Sequence, residues 1–334
     1  MRVVVLGAGG LGSVVGGFLA EAGTEVTLIG RQAHVDAINQ HGLRITGRRG
    51  EVLVDENLVA LTDPGQATGP FDYLILAVKG KDTHAALTAA EPLGDKVVTA
   101  FSLQNGLGKD DALRQWLGEG RVIGASTIEG GTLVEPGTVH NHLTADVTAY
   151  FGELDGRITP RVEAITTAFD KAGLAASAAG CIDQITWEKL AQISLAAAWS
   201  VTTLGAVRGV SVFAGMAVRE GAEYFVALAK DLLAVYRAQG YTPQNFYAPL
   251  SRLKELDELS VEEAVTFITQ QAAQQAEQEV AGHPSMYEDV VRGRKTEIDF
   301  MITPYLTAAD AAGLEVPTLR TAYRIIKTLD TFLG

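Results

Sequence analysis

Through the first 155 residues, short apolar runs rich in β-branched side chains alternate with segments of helical periodicity. That alternation is the mark of βαβ units wound about a parallel sheet. Residues 3–6, 25–29, 73–78, 97–101 and 122–125 are the expected strands. The stretch Tyr73-Leu74-Ile75-Leu76-Ala77-Val78 is apolar at nearly every position, which fits a strand covered by helices on both faces in the middle of a sheet. Residues 138–140 and 147–151 read as a β-meander, followed by a helix over 160–172 that stops before Gly173.

Beyond residue 180 the strand signal disappears. Long helical stretches follow, punctuated by Gly240-Tyr241-Thr242-Pro243, Gly282-His283-Pro284 and the turn from Gly313 to Pro317. Residues 190–207 form an 18-residue charge-free run, at the lower limit of a membrane span. Gln192, Ser194, Ser200, Thr202, Thr203 and Gly205 interrupt it and no second span accompanies it, so a buried central helix is expected. Residues 257–278, rich in Glu, Gln and Ala, read as a surface helix pair. The Ala- and Gly-rich stretch 174–183 divides an α/β domain, residues 1–178, from an all-α domain, residues 179–334.

The length of 334 residues agrees with two domains at roughly 150 residues each. With 27 Lys plus Arg against 40 Asp plus Glu, the formal charge of −13 repels a phosphate backbone and offers no long-range attraction to nucleic acid or anionic lipid. An anionic ligand must therefore be held by local geometry. The one cysteine, Cys181, can make neither an internal disulfide nor a multi-cysteine metal site, which points to a reducing, cytoplasmic setting. Met1 and Arg2 run straight into the first strand, so no targeting segment is expected. His140 and His142 share one face of an expected strand but lack an evident third ligand, and no metal is expected. Trp187 and Trp199 read as core packing.

Between the first strand and a helix that runs to Ala22 lies Gly7-Ala8-Gly9-Gly10-Leu11-Gly12. In that context GxGxxG is a dinucleotide-binding turn. Gly7 permits the tight turn, Gly9 a close approach of backbone to pyrophosphate, and Gly12 close packing of helix on strand, while the helix N-terminus offers N–H groups to the phosphates. The second strand ends in Gly30-Arg31, with no carboxylate to bind a ribose 2′-hydroxyl. A guanidinium there matches a 2′-phosphate, so NADP(H) is the expected cofactor.

Lys79 stands at the C-terminal end of a central strand, the edge where doubly wound sheets bind ligands, and Gln104-Asn105-Gly106 ends the next. In the helical half, Trp187-Glu188-Lys189-Leu190 leads into the charge-free helix, and Ser285 precedes Thr296-Glu297-Ile298-Asp299. With Glu135-Pro136-Gly137-Thr138-Val139-His140, these motifs occur in an order and spacing that resembles the ketopantoate reductase family, the NADPH-dependent 2-dehydropantoate 2-reductases, over nearly the whole chain. The resemblance implies a Rossmann-type doubly wound domain followed by a helical domain, with an active site in the cleft between them, and a place in pantothenate biosynthesis as a monomer or homodimer. It implies Lys189 as general acid, Glu297 as the carboxylate that orients substrate carbonyl and cofactor, and Ser285 as a ligand of the substrate carboxylate. Asn105 and Lys79 would line the nicotinamide and substrate side. Hydride addition to a ketone creates an alkoxide, whose charge a lysine ammonium can stabilise and protonate.

Three positions depart from the family pattern. Typical members carry asparagine four and eight residues after the lysine and five after the glutamate; here those positions are Ile193, Ala197 and Ile302. The acid is kept while polar contacts are lost, which suggests a pocket more apolar than one built for the ketopantoate hydroxyl. The expected reaction is NADPH-dependent reduction of a small 2-keto acid to an (R)-2-hydroxy acid. The alternatives are a D-2-hydroxyacid dehydrogenase for a more apolar or branched 2-keto acid, and a non-catalytic NADP(H)-binding sensor.

Overall fold

A computed structural model of the chain describes residues 1–204, 209–248, 251–277 and 283–334. Contacts divide it into two compact units, Met1–Thr186 and Trp187–Gly334.

In the first unit β1 (Arg2–Leu6), α1 (Gly10–Glu21), β2 (Glu25–Ile29), α2 (Gln32–His41), β3 (Leu43–Gly47), β4 (Val52–Val54), β5 (Leu58–Leu61) and β6 (Phe71–Leu76) follow in order. Then come α3 (Thr83–Ala89), β7 (Val97–Ser102), α4 (Asp111–Leu117), β8 (Gly124–Thr127), β9 (Gly131–Glu135), β10 (Thr138–Asn141), β11 (Ala149–Gly152), α5 (Pro160–Lys171) and β12 (Ala176–Ala178). The main sheet has the order β5-β2-β1-β6-β7 and is parallel throughout. The chain leaves β1 toward β2 on one side and returns as β6 on the other. That reversal opens a crevice at the strands' C-terminal ends.

Continuous apolarity in β1 follows from cover on both faces. Val3 and Val5 belong to the core shared with α1 and α5, whereas Val4 and Leu6 belong to the one shared with α3 and α4. Period-two alternation thus sends each apolar residue into one of two cores.

Several sequence expectations are corrected. β6 ends at Leu76, so Lys79 lies beyond the strand and leads into the short 3₁₀ turn Gly80–Asp82. Residues 122–125 do not form a strand of the main sheet: Val122 makes one bridge to Ala100, and β8 then pairs antiparallel with β11 in a separate sheet, β12-β11-β8. Nor do 138–140 and 147–151 form a meander, since β10 lies in the sheet β4-β3-β10-β9 and β11 does not. An apolar run reports burial, not the identity of the hydrogen-bonded neighbour. Strands β3, β4, β5 and β9 are not expected from the sequence, and β12 falls in the stretch 174–183 expected as the divider between domains. β9 shows why: Leu133 and Val134 are both exposed, so burial imposes no alternation, and pairing with β10 defines the strand.

The helical expectation for the second half holds among the described residues. α6 (Ile182–Leu204) buries Leu190, Ala191, Leu195, Ala198 and Trp199 together with Ser194 and Ser200. Residues 205–207 of the charge-free run, Gly282 of the second punctuation and residue 278 lie outside the described residues. No described helix is long and apolar enough to cross a membrane. After α6 come α7 (Val212–Met216), α8 (Arg219–Ala238), α9 (Leu253–Glu258) and α10 (Val261–Glu277); the segment 257–278, expected as a helix pair, holds one helix, α10, and only the last two residues of α9. Ser260 and Glu263 cap α10 reciprocally: the Glu263 carboxylate accepts from the Ser260 N–H at 3.0 Å, and the Ser260 hydroxyl accepts from the Glu263 N–H at 3.4 Å. α11 (Ser285–Val291), α12 (Ile298–Met301), α13 (Thr303–Ala312) and α14 (Pro317–Asp330) complete the unit.

The first turn of α1 lies directly on the backbone of β9. A Cβ on Gly10 would stand 2.0 Å from the Gly131 carbonyl oxygen, and one on Gly131 would stand 2.6 Å from the Gly10 oxygen. Neither backbone can withdraw without moving the glycine turn. Gly131→Ala is therefore expected to destabilise the protein by roughly 1–3 kcal/mol, as overpacking does, and denaturant unfolding checks it.

Candidate active site

The glycine turn is held by backbone on both sides. Gly7 N–H and Ala8 N–H both donate to the Ile29 carbonyl, at 3.1 and 2.8 Å, which anchors the turn to the end of β2. Gly7 has φ +114°, and a Cβ there would meet the Val78 nitrogen at 2.6 Å. A Cβ on Gly12 would meet the Gly7 oxygen at 2.1 Å. A Cβ on Gly9, by contrast, would meet nothing within 4 Å. The turn is thus closed toward the sheet and open at Gly9, where the first N–H groups of α1 have no intrahelical acceptor. An open backbone cradle at a helix N-terminus fits a dinucleotide pyrophosphate. Arg31 is exposed at the N-cap of α2, right after Gly30, whose missing Cβ leaves room for the Ala8 methyl.

A histidine that the sequence did not mark ties these pieces together. His34 is buried on α2; its Nδ1 accepts from the Gly137 N–H at 2.9 Å, and its Nε2 lies 3.0 Å from the Ser13 hydroxyl of α1. Acceptance at Nδ1 fixes the neutral Nε2–H tautomer, and burial lowers the imidazole pKa, which keeps it so. A single histidine in a polar helix carries no sequence signal.

At the ends of β6 and β7, Gln104 performs a similar task. Its buried side-chain amide donates to the Val78 carbonyl at 2.9 Å and the Thr83 hydroxyl at 2.7 Å, and its carbonyl accepts from the Ser102 hydroxyl at 3.0 Å. The loop after β6, which carries the exposed Lys79, is thereby joined to the one after β7, which carries the half-buried Asn105, and Val78 in turn lies against Gly7.

In the second unit Lys189 is 7% exposed in the second turn of α6, so it is not the solvated helix-end charge that a lone lysine usually is. Its neighbour Glu188, 1% exposed, accepts from the Gln244 and Phe246 backbone N–H groups at 2.8 and 3.0 Å and from the Tyr236 hydroxyl at 3.2 Å. Burial raises the Glu188 pKa against the opposing effect of those donors. The Trp187 carbonyl accepts from the buried Tyr305 hydroxyl at 2.8 Å, with the two rings edge to face at 5.1 Å. The Ser194 hydroxyl donates to the Met301 carbonyl at 3.0 Å. The helix that carries Lys189 is thus bound to α12 and α13, and Glu297, half-buried, is the N-cap residue of α12. Ser285, exposed, opens α11, which is tied to the segment before Glu297 by an ion pair of Asp289 with Arg294 at 2.7 Å. Ile193 is half-buried; Ala197 and Ile302 are buried.

The paired histidines do share a face, with rings 5.5 Å apart, but each is engaged by a threonine: His140 with Thr46 at 3.1 Å and His142 with Thr132 at 2.8 Å. Among the described residues no group of three His, Cys, Asp or Glu could hold a metal ion.

Comparison with known proteins agrees with this arrangement. Residues 3–156 match the model of ketopantoate reductase PanE/ApbA, and residues 181–330 match that of its C-terminal domain. The chain belongs to the ketopantoate reductase PanE/ApbA family. It is an oxidoreductase, homologous over its full length to 2-dehydropantoate 2-reductases, such as that of Pyrococcus horikoshii, 30% identical with 100% of this chain and 99% of the relative covered. A solved family member from Ralstonia eutropha JMP134 superposes with a TM-score of 0.78 at 25% identity, covering 99% of both chains. D-mandelate dehydrogenase, solved as a ternary structure with NADH and anilino(oxo)acetate, shares the fold with a TM-score of 0.75 at 19% identity over 99% of both chains.

The family motif around Lys189 thus includes a buried carboxylate of structural purpose. Glu188→Gln turns one acceptor into a donor aimed at a backbone N–H and should cost roughly 1–3 kcal/mol. Because burial raises the Glu188 pKa above its ordinary 4.5, its contribution to stability is full below that value and declines as pH rises through the raised one. The advantage of the unmutated protein should therefore shrink with rising pH, which denaturant unfolding over about pH 4 to 7 measures.

Proposed function

We propose that this chain catalyses NADPH-dependent reduction of a small 2-keto acid to an (R)-2-hydroxy acid. The observation that carries the reading is the burial of Lys189 on a helix bound to the elements that bear Glu297. A lysine withdrawn from water there has a reason to exist beyond solvation. In this reading the turn Gly7-Ala8-Gly9-Gly10-Leu11-Gly12 holds the pyrophosphate, Arg31 the 2′-phosphate, and Lys79 and Asn105 the nicotinamide side. The nicotinamide, when bound, supplies a hydride to the keto carbon.

The protein's own groups do the rest. Ser285 donates a hydrogen bond to the substrate carboxylate and Asn105 contacts the substrate. Glu297 orients the carbonyl and the cofactor. Lys189 polarises the carbonyl oxygen in the ground state and gives it a proton as the alkoxide forms, so that its ammonium interacts most strongly where negative charge develops.

Two substrate readings remain within that chemistry. Ketopantoate is the reading that the relatives' names favour, and it would place the chain in pantothenate biosynthesis. Ile193, Ala197 and Ile302 favour a more apolar or branched 2-keto acid, because one turn and two turns beyond Lys189 the helix offers no hydrogen bond. NADPH oxidation with ketopantoate, 2-ketoisovalerate and phenylglyoxylate discriminates between them. A large kcat/KM margin for ketopantoate would remove the argument from the apolar positions, and tight NADPH binding with no turnover on any would favour a sensor.

Lys189→Met fills the buried space without a proton to give. It is expected to leave NADPH affinity nearly unchanged and to lower kcat by roughly 10² or more, and steady-state kinetics beside a thermal midpoint separates this from unfolding. Normal turnover would sink the mechanism. For the cofactor, charge-assisted hydrogen bonds to a 2′-phosphate are worth roughly 1.5–3 kcal/mol each. Arg31→Ala should then lose more than about tenfold of the preference for NADPH over NADH in titrations of both, whereas equal affinities in the unmutated protein would show that Arg31 serves otherwise.

A further inference from the structure

Glu297 is half-buried, and its carboxylate makes no hydrogen bond or ion pair to the described residues. Its direction must come from its backbone. That backbone is fixed from both sides by one distant carboxylate. At the last residue of α14, Asp330 accepts from the Thr296 N–H through Oδ1 at 3.0 Å and from the Thr296 hydroxyl through Oδ2 at 2.9 Å. The same hydroxyl oxygen accepts from the Ile298 N–H at 3.3 Å. The residues on either side of Glu297 are therefore registered on a single side chain 34 positions away in sequence.

Beyond Glu297, Asp299 accepts from the Tyr323 hydroxyl at 2.9 Å and the Lys327 ammonium at 2.8 Å, which pins the start of α12 to the same helix. These latter contacts are solvent-exposed and weak. The Asp330 contacts are part-buried, bidentate and directed at the backbone and side chain of Thr296, the residue before Glu297.

We propose that Asp330 is a positioning residue that aims the Glu297 carboxylate by clamping Thr296. The proposal rests on the reading of Glu297 as the group that orients substrate and cofactor. It assigns the end of the C-terminal helix, which carries none of the reacting groups, a role in turnover. A carboxylate that must meet a substrate carbonyl loses rate steeply when its backbone can rock, because orientation is lost before folding is.

The test is a double-mutant cycle in the full chain, with ketopantoate, 2-ketoisovalerate and phenylglyoxylate as substrates and hydrogen exchange across residues 293–301 as a second readout. Asp330→Ala is expected to lower kcat/KM about tenfold or more, to leave the NADPH Kd within about twofold, and to raise exchange at Thr296 and Ile298. Asp330→Asn can accept from the Thr296 N–H and donate to its hydroxyl, so it should restore most of the rate. In a Glu297→Gln background Asp330→Ala should cost little more. Thr296→Val keeps the backbone bond and serves where Asp330→Ala fails to fold, with a smaller loss of the same kind. Equal losses in both backgrounds, or unchanged exchange in the segment, would overturn the positioning role alone. Glu297→Gln with unmutated turnover would instead remove the reading of Glu297 and this proposal with it.

Discussion

Backbone meeting backbone without side chains between them is the constraint on which the first unit depends. Gly7 lies against Val78, Gly12 against Gly7, and Gly10 against Gly131, each too close for a Cβ. These contacts fix a turn whose outer side, at Gly9, stays open. The same approach that packs α1 on the sheet thus leaves the turn open at Gly9, where local dipoles can hold an anion on a chain of charge −13.

Buried polar groups then position the chemistry. His34, Gln104 and Glu188 each bond side-chain hydroxyls and also backbone groups of other segments: His34 bonds Gly137, Gln104 bonds Val78, and Glu188 bonds Gln244 and Phe246. Each stands beside a residue or turn given a role in cofactor or substrate binding. Leaving such a group unpaired would cost roughly 1–3 kcal/mol, so these bonds define the local geometry more strictly than apolar packing does. Lys189 follows Glu188 directly, and the bonds that anchor the carboxylate also hold that turn of α6.

The second unit solves a related problem with a helical scaffold. Ser194 and Tyr305 bind α6 to α12 and α13 through backbone carbonyls, and Asp231 of α8 accepts from the Leu319 N–H at 2.9 Å at the start of α14. Two of these joints, at the end of α12 and the start of α14, use helix ends, where carbonyls and N–H groups lack intrahelical partners. Glu297 stands at another such end, so its placement depends on which partners meet it.

The sequence by itself determined the parallel sheet, the helical second half, the glycine turn and the residues given chemical roles, because period, turn chemistry and motif spacing are local properties of the chain. It also carried the family, through motifs spread from Gly7 to Glu297. Only the tertiary structure decided that β8 leaves the main sheet, that β9 and β10 form a hairpin in another, and that β6 stops three residues before Lys79. It alone showed that Lys189 is buried and that His34, Gln104 and Asp330 hold the turns and loops around the candidate groups. The physical reason is the same in each case: strand partners and hydrogen bonds between residues tens of positions apart are chosen by proximity in the folded chain, and no local periodicity encodes them.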